Sequence, residues 1–168
     1  IDFFKQAIEL NPDFIKGRIS LNAVSSSVVK GWHVPMMNDK VRNSAYFEAI
    51  KLAVDDGAFV LDIGTGSGLL SLMAAANGAK KVITCETSKT IAKIAKEIIY
   101  SNGFGKKISV LNKKSTELIV GKDLPQKADL IISEVLSAEF VGEGVRTTTL
   151  DAKQRLLKRN GKMIPQSG

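Results

Sequence analysis

The amino-acid sequence predicts an α/β protein: a doubly wound, mostly parallel sheet with helices on both faces, preceded by N-terminal helices. Three observations carry that prediction. Short apolar runs alternate with helical periodicity from Phe59 onward, a glycine-rich turn joins the first such run to the first helix behind it, and serine or glycine stands where those helices begin and end. Strand, helix and strand in alternation call for parallel pairing with right-handed crossovers.

Taken in order, residues 1–10 place Phe4, Ala7 and Ile8 on one helical face. Asn11-Pro12 ends that helix, because the residue before a proline is pushed out of the α region. Serines 25–27 and Gly31-Trp32 read as a linker, so 1–31 form a helical segment with its linker and 32–168 form the sheet domain. A second helix runs roughly from Asp39 to Val54, with Val41, Ala45, Ala49, Ile50 and Ala53 inward. Strand candidates follow at Phe59–Ile63, Lys81–Cys85, Ile108–Leu111 and Asp129–Ser133, with a last strand at Gly161-Lys162-Met163-Ile164-Pro165. Between the first two, Leu69, Leu70, Leu72, Met73 and Ala76 make a helical apolar face that Gly78 closes as a left-handed cap. Between the second and third, Ser88 caps a helix carrying Ile91, Ile94, Ala95, Ile98 and Ile99, ended by Asn102-Gly103. Ligands of such sheets bind at the carboxyl ends of the strands.

Composition narrows the classes of function. A chain of 168 residues, 44% apolar and 24% charged, suits one globular domain and is far from the low hydropathy of disordered chains. Its apolar runs are a few residues long, against about 20 for a bilayer-crossing helix, and no basic-then-apolar leader opens it. The expectation is a soluble protein of the cytoplasm, or of the nucleus in a eukaryote, without a membrane partner. Cys85 is the only cysteine and His33 the only histidine, which excludes an intrachain disulfide and leaves little for a zinc site, so no metal is expected. The formal charge is +7, yet Lys80-Lys81, Lys106-Lys107 and Lys113-Lys114 come as separate pairs beside strand ends and aromatics are 6%. That pattern reads as solvated surface and disfavours a nucleic-acid partner, which would couple a basic stripe to stacking rings. The sequence opens on Ile1 and closes on Pro165-Gln166-Ser167-Gly168, as expected of a piece of something longer.

Chemistry concentrates first at Val60-Leu61-Asp62-Ile63-Gly64-Thr65-Gly66-Ser67-Gly68. Glycines at alternate positions let the backbone turn tightly and approach a ligand with no Cβ in the way. Asp62 stands where a buried strand prefers an apolar residue, and Glu86 falls at the tip of the second strand, where a carboxylate accepts both hydroxyls of a ribose. A dinucleotide fingerprint needs a glycine where Leu69 stands, and no Walker lysine with its Ser/Thr is present, so NAD and triphosphates are disfavoured. These residues resemble the class I S-adenosylmethionine-dependent methyltransferases, which have a Rossmann-like doubly wound sheet. The resemblance implies that Gly64, Thr65, Gly66 and Gly68 line S-adenosyl-L-methionine, that Asp62 organises the turn and that Glu86 holds the ribose. A cofactor with no phosphate and one ammonium group suits a turn bordered by acids. Cys85, with nothing nearby to lower its pKa, reads as a small core residue.

A second feature follows the fourth strand. Glu134, Glu139 and Glu143 occur with no base before Arg146, in a chain that is basic overall. Glu134 and Glu143 are nine apart, on opposite faces of an ideal helix, so they converge only if the chain loops back, for which Gly142 and Gly144 supply the freedom. Two carboxylates held together repel unless a cation lies between them, and a planar guanidinium can be gripped on both edges.

These residues resemble the double-glutamate loop of the protein arginine methyltransferases. Met36-Met37-Asn38-Asp39-Lys40-Val41-Arg42-Asn43-Ser44-Ala45-Tyr46 is similar to their cofactor-covering helix, and the likeness spans about residues 32 to 165. Asn112-Lys113-Lys114-Ser115-Thr116-Glu117 and Gly142-Glu143-Gly144 look closest to divergent, monomethylating members, while Ala7-Ile8-Glu9-Leu10-Asn11-Pro12 resembles the last helix of a tetratricopeptide repeat. The resemblance implies an arginine-containing protein substrate and catalytic roles for Glu134 and Glu143, with Glu134 also bordering the cofactor. It further implies that Arg42 pairs with the cofactor carboxylate, that Met36 lies near the transferring methyl, and that Ser115 and Thr116 lie by the adenine. His33, three before Met36, falls where the family can have a cofactor-contacting histidine. The family's catalytic unit continues into a β-barrel that this stretch lacks, so the piece is expected to bind cofactor without acting alone and to lack the parts of a barrel-built dimer. The competing readings are another class I methyltransferase, acting on protein lysine, a small molecule or a base, and a non-catalytic cofactor-binding module. A base methyltransferase would be expected to carry an Asn/Asp-Pro-Pro-aromatic turn where Ser133-Glu134-Val135-Leu136 stands.

Overall fold

The computed structural model describes residues 33–135 and 144–166; the helix expected over 1–10, its repeat-like end and the linker lie outside the described residues. The chain divides into two compact units, Ile1–Asn43 and Ser44–Gly168. In the first, helix α1 (His33–Met37) is followed by Asn38 and Asp39. Asp39 caps helix α2 (Lys40–Ala53), its Oδ1 accepting from the Arg42 amide at 3.0 Å.

The second unit holds five parallel strands, β1 (Phe59–Ile63), β2 (Lys81–Cys85), β3 (Ile108–Leu111), β4 (Ala128–Ser133) and β5 (Leu157–Ile164), in the order β3-β2-β1-β4-β5. The doubly wound parallel sheet expected from the sequence is the one observed. The chain reverses direction across the sheet between β1 and β4, and in this topology that point opens a crevice at the carboxyl ends. Each face buries its own core. Val60, Val82, Val110, Leu130 and Ile132 pack under α2, α3 (Leu69–Ala76) and α4 (Lys89–Ser101). Leu61, Ile83 and Ile131 pack under Leu118, Leu124, Ala152 and Leu156 on the other face. Arg155, in the π-helix Ala152–Leu156, grips Asp151 through Nε and Nη2 at 2.6 Å each and donates to the carbonyls of Leu118 and Ser115. It thereby fastens the segment before β5 to the short 3-10 turn Ser115–Glu117 that follows β3.

The caps fall as expected. Ser88 Oγ accepts from the Ile91 amide, and Gly78 and Gly103 take positive φ beyond the helix ends. Ile50, Leu70, Ala95 and Ile99 are buried as the periodicity indicates, but the buried faces are turned slightly from those it marks. α3 buries Leu70, Ser71, Ala74 and Ala75 while Ala76 is exposed, and α4 buries Ala92, Ala95 and Ile99 while Ile94 is exposed. Ile50 is the buried residue of α2, whereas Val41 and Ala45 are exposed. Alanines occupy the line of closest approach to the sheet, where a branched side chain would hold the helix away, and larger residues flank that line. The last strand also begins earlier than its apolar run. Leu157 pairs with Ala128 and Lys162 with Leu130, so the residues between bulge out and the regular ladder is the stretch into Ile164.

Candidate active site

Three strand ends form one row. Ile63 is the register partner of both Cys85 and Ser133, so the residues that follow, Gly64, Glu86 and Glu134, stand side by side at the switch point. The turn leaving β1 folds over the end of β2: the amides of Gly64 and Thr65 donate to the Cys85 carbonyl at 3.0 and 3.1 Å, and the Gly68 amide to the Thr65 carbonyl at 2.8 Å. Gly64 has φ +87°, and a Cβ there would lie 2.9 Å from Val135 Cγ1, so the turn admits no side chain against the segment after β4. Gly68 has φ +86°, and its Cβ would meet Ile99 at 3.1 Å, which makes it the point where the turn packs on α4.

Glu86 is held at the tip of β2. Its Oε2 accepts from the Gly66 amide at 3.3 Å, and its Oε1 from the Ser88 amide at 2.9 Å and the Thr87 hydroxyl at 3.3 Å. Asn112, at the end of β3, donates through Nδ2 to the Glu86 and Thr87 carbonyls at 2.8 and 3.0 Å. A half-buried carboxylate fixed from both sides over a turn without a phosphate-binding lysine fits a nucleoside with free ribose hydroxyls.

Beneath the turn lies a buried polar network. Ser71 donates to Asp62 Oδ2 at 2.6 Å, Thr84 donates to the same oxygen at 3.1 Å, and the Thr84 and Thr65 hydroxyls are 2.6 Å apart. Asp62 Oδ1 is buried with no hydrogen-bond partner among the described residues. Burial pushes the Asp62 carboxyl up to about 7, against the lowering effect of the Ser71 and Thr84 hydrogen bonds. The folded chain therefore holds this proton more tightly than the unfolded chain, whose aspartate titrates near 3.8. Stability falls as pH rises between those values, by as much as about 1.4 kcal/mol per pH unit and roughly 4 kcal/mol in all. Melting temperatures of wild type and Asp62→Asn measured from pH 4 to 8 are expected to converge or cross as pH rises, because the amide removes the titration; parallel curves would refute this.

Cys85 is buried, and burial pushes its thiol up to about 12. It is the core residue the sequence indicates, and a disulfide reagent is expected to reach it only after denaturation.

The other expected site residues fall as follows. Ser115 is buried and Thr116 exposed, both in the turn after β3. Glu134 is half-buried directly after β4, whose Ser133 carbonyl accepts from the Tyr46 hydroxyl at 3.1 Å. Met36 and Arg42 belong to the first unit, where Met36 lies in α1, its carbonyl accepting from the Asp39 amide at 3.2 Å, and Arg42 Nη1 donates to Asn43 Oδ1 at 2.8 Å. His33 opens α1. Glu143 and the loop from Leu136 to Glu143 lie outside the described residues. Sequence reasoning missed Ser71, Thr84 and Asn112. Thr84 carried a signal, since it is the register partner of Asp62 and another polar residue inside an apolar strand.

Residues 44–165 match the family model described as "Ribosomal protein L11 methyltransferase (PrmA)". The chain belongs to the PrmA-type methyltransferase family. It is 40% identical over 139 residues to an "Arginine N(omega)-methyltransferase" of Streptomyces achromogenes subsp. streptozoticus, covering 83% of this chain and 38% of that protein. It is 35% identical to "Protein arginine N-methyltransferase 9" of Homo sapiens, covering 98% of this chain and 21% of that protein. Among solved structures, the "Trypanosoma brucei PRMT1 enzyme-prozyme heterotetrameric complex with AdoHcy" superimposes with a TM-score of 0.71 at 34% identity, covering 79% of this chain and 41% of that one. The PrmA-type domain thus spans well under half the length of the relatives it matches, and its likeness to protein arginine methyltransferases, read first from the double-glutamate loop and the Met36–Tyr46 segment, is borne out by named relatives and by fold.

Proposed function

We propose that the protein transfers a methyl group from S-adenosyl-L-methionine to a guanidinium nitrogen of arginine in a protein substrate. The observation that carries this reading is the row of Gly64, Glu86 and Glu134 at adjacent strand ends, in a chain whose relatives are named arginine methyltransferases. When bound, the cofactor supplies an electrophilic methyl group on a sulfonium. Glu86 would accept the ribose hydroxyls, the backbone of Gly64, Thr65, Gly66 and Gly68 would let the cofactor lie close, and Ser115 and Thr116 would border the adenine. Asp62 acts from below, holding Thr65 through Thr84.

The chemical difficulty lies with the acceptor. Removing a proton from arginine, pKa near 13.8, at pH 7 costs about 9 kcal/mol. Glu134 and Glu143 avoid that full cost by orienting the guanidinium and drawing its positive charge away from the attacking nitrogen, which sheds its proton during or after attack. They also stabilise the cation that develops there as charge passes from the donor.

The test uses the full-length protein, labelled S-adenosylmethionine and two peptides, one Arg-Gly-rich and one with every arginine replaced by lysine. Label on the arginine peptide alone is expected. Label on the lysine peptide alone would support an amine acceptor, and cofactor binding without transfer to any protein would leave a binding module.

A further inference from the structure

Lysine pairs that look scattered along the chain are gathered by the sheet. β2 and β3 are parallel neighbours, and the Val82 amide donates to the Lys107 carbonyl at 2.9 Å, so Lys80-Lys81 entering β2 stands beside Lys106-Lys107 entering β3. α4 runs back between these strands and brings Tyr100 to the same end, where the Phe104 amide bonds the Ile99 carbonyl and the Lys107 amide bonds the Phe104 carbonyl. Lys80, Lys106 and Lys107 are exposed, Lys81 is half-buried with Nζ on the Ser109 hydroxyl, and none of the four is ion-paired with a described residue. No acid occurs between Glu97 and Glu117. Of the acids near the start of β1, Asp55 is engaged by Lys162, and Asp56 and Glu97 do not balance four lysines.

Tyr100 is 79% exposed, and a Cβ on Gly105 would lie 3.1 Å from its Cδ2, so the glycine leaves the edge of the ring the room it occupies while most of the side chain is open to solvent. An exposed aromatic ring beside a cluster of lysines without ion pairs among the described residues is the pairing that binds unstacked bases and tracks a phosphate backbone. An acidic peptide would use the lysines and leave the ring idle. Arginine-rich substrates are polycations that this end repels, and it lies at the amino ends of the strands, opposite Glu134.

We propose that this end of the sheet docks single-stranded nucleic acid, with phosphates on Lys80, Lys81, Lys106 and Lys107 and a base on Tyr100. The proposal does not depend on the methyl acceptor. In the full chain, fluorescence anisotropy with a labelled mixed-sequence RNA dodecamer is expected to show binding that weakens with salt. Lys106→Gln with Lys107→Gln should weaken it at least about tenfold and lower the salt slope by about 1.4, from about 0.7 per lost phosphate contact. Tyr100→Ala should weaken it about tenfold while Tyr100→Phe restores it. Methyl transfer to a short peptide should be the same in all these variants, which verifies their fold. RNA binding that is absent, or indifferent to the lysine pair, overturns the proposal. So does equal binding of a polyglutamate dodecamer with no effect of Tyr100→Ala, which would make the surface a dock for acidic protein, or a preference for phosphatidylserine vesicles.

Discussion

Glu134→Gln in the full-length protein is expected to lower methyl transfer to an Arg-Gly-rich peptide by about two orders of magnitude or more, the scale on which removing one preorganised transition-state contact acts. Glu143→Gln should do the same, while the dissociation constant for S-adenosylmethionine, measured by calorimetry, stays close to wild type in both. Glutamine keeps the shape of the side chain and one acceptor but loses the charge that answers the developing cation, so the loss should appear in turnover. Wild-type turnover in either variant would remove that residue from the clamp. A parallel loss of cofactor affinity in Glu134→Gln would instead make it a cofactor ligand, as its place beside Gly64 and Glu86 allows.

The second large effect is expected at the turn. Gly64→Ala places a Cβ on a residue with φ +87°, about 1–2 kcal/mol of backbone strain, and sets it 2.9 Å from Val135 Cγ1. We expect a fall of several degrees in melting temperature and a loss of at least about tenfold in cofactor affinity, because the Val135 side chain and the turn must part at the place proposed for the cofactor. Gly57→Ala is the matched control: its φ is +77°, and a Cβ there meets nothing within 4 Å. It should carry the strain alone and bind cofactor normally. Equal affinity losses in the two variants would mean that global destabilisation, and not the turn, sets the effect.

How much of this was legible beforehand differs by residue. The strands at 59–63 and 81–85 stand as their apolar runs mark them, because a strand buried on both faces has little choice of composition, and the strand at 108–111 stands as marked with alternate residues buried. Helix faces are less legible, since periodicity reports where large apolar residues lie, whereas small residues such as Ala92, Ala74 and Ser71 also occupy the closest contact. Asp62, Gly64 and Glu86 were legible because each violates a local preference: a charge in a buried strand, a residue without a side chain at a turn, an acid at a strand tip. Ser71 and Asn112 violate none, so their partners could not be named without coordinates.

By itself, then, the order of residues determined the strand–helix alternation, the glycine turn and the acids at two strand ends, since these follow from backbone sterics and burial within short windows of chain. Only the tertiary structure decided register. That β1 pairs with β2 on one side and β4 on the other sets Gly64, Glu86 and Glu134 in one row, places Thr84 over Asp62, and at the far end turns two separate lysine pairs into one cluster. Register is settled by packing summed over the whole sheet, a non-local quantity that no window of sequence contains.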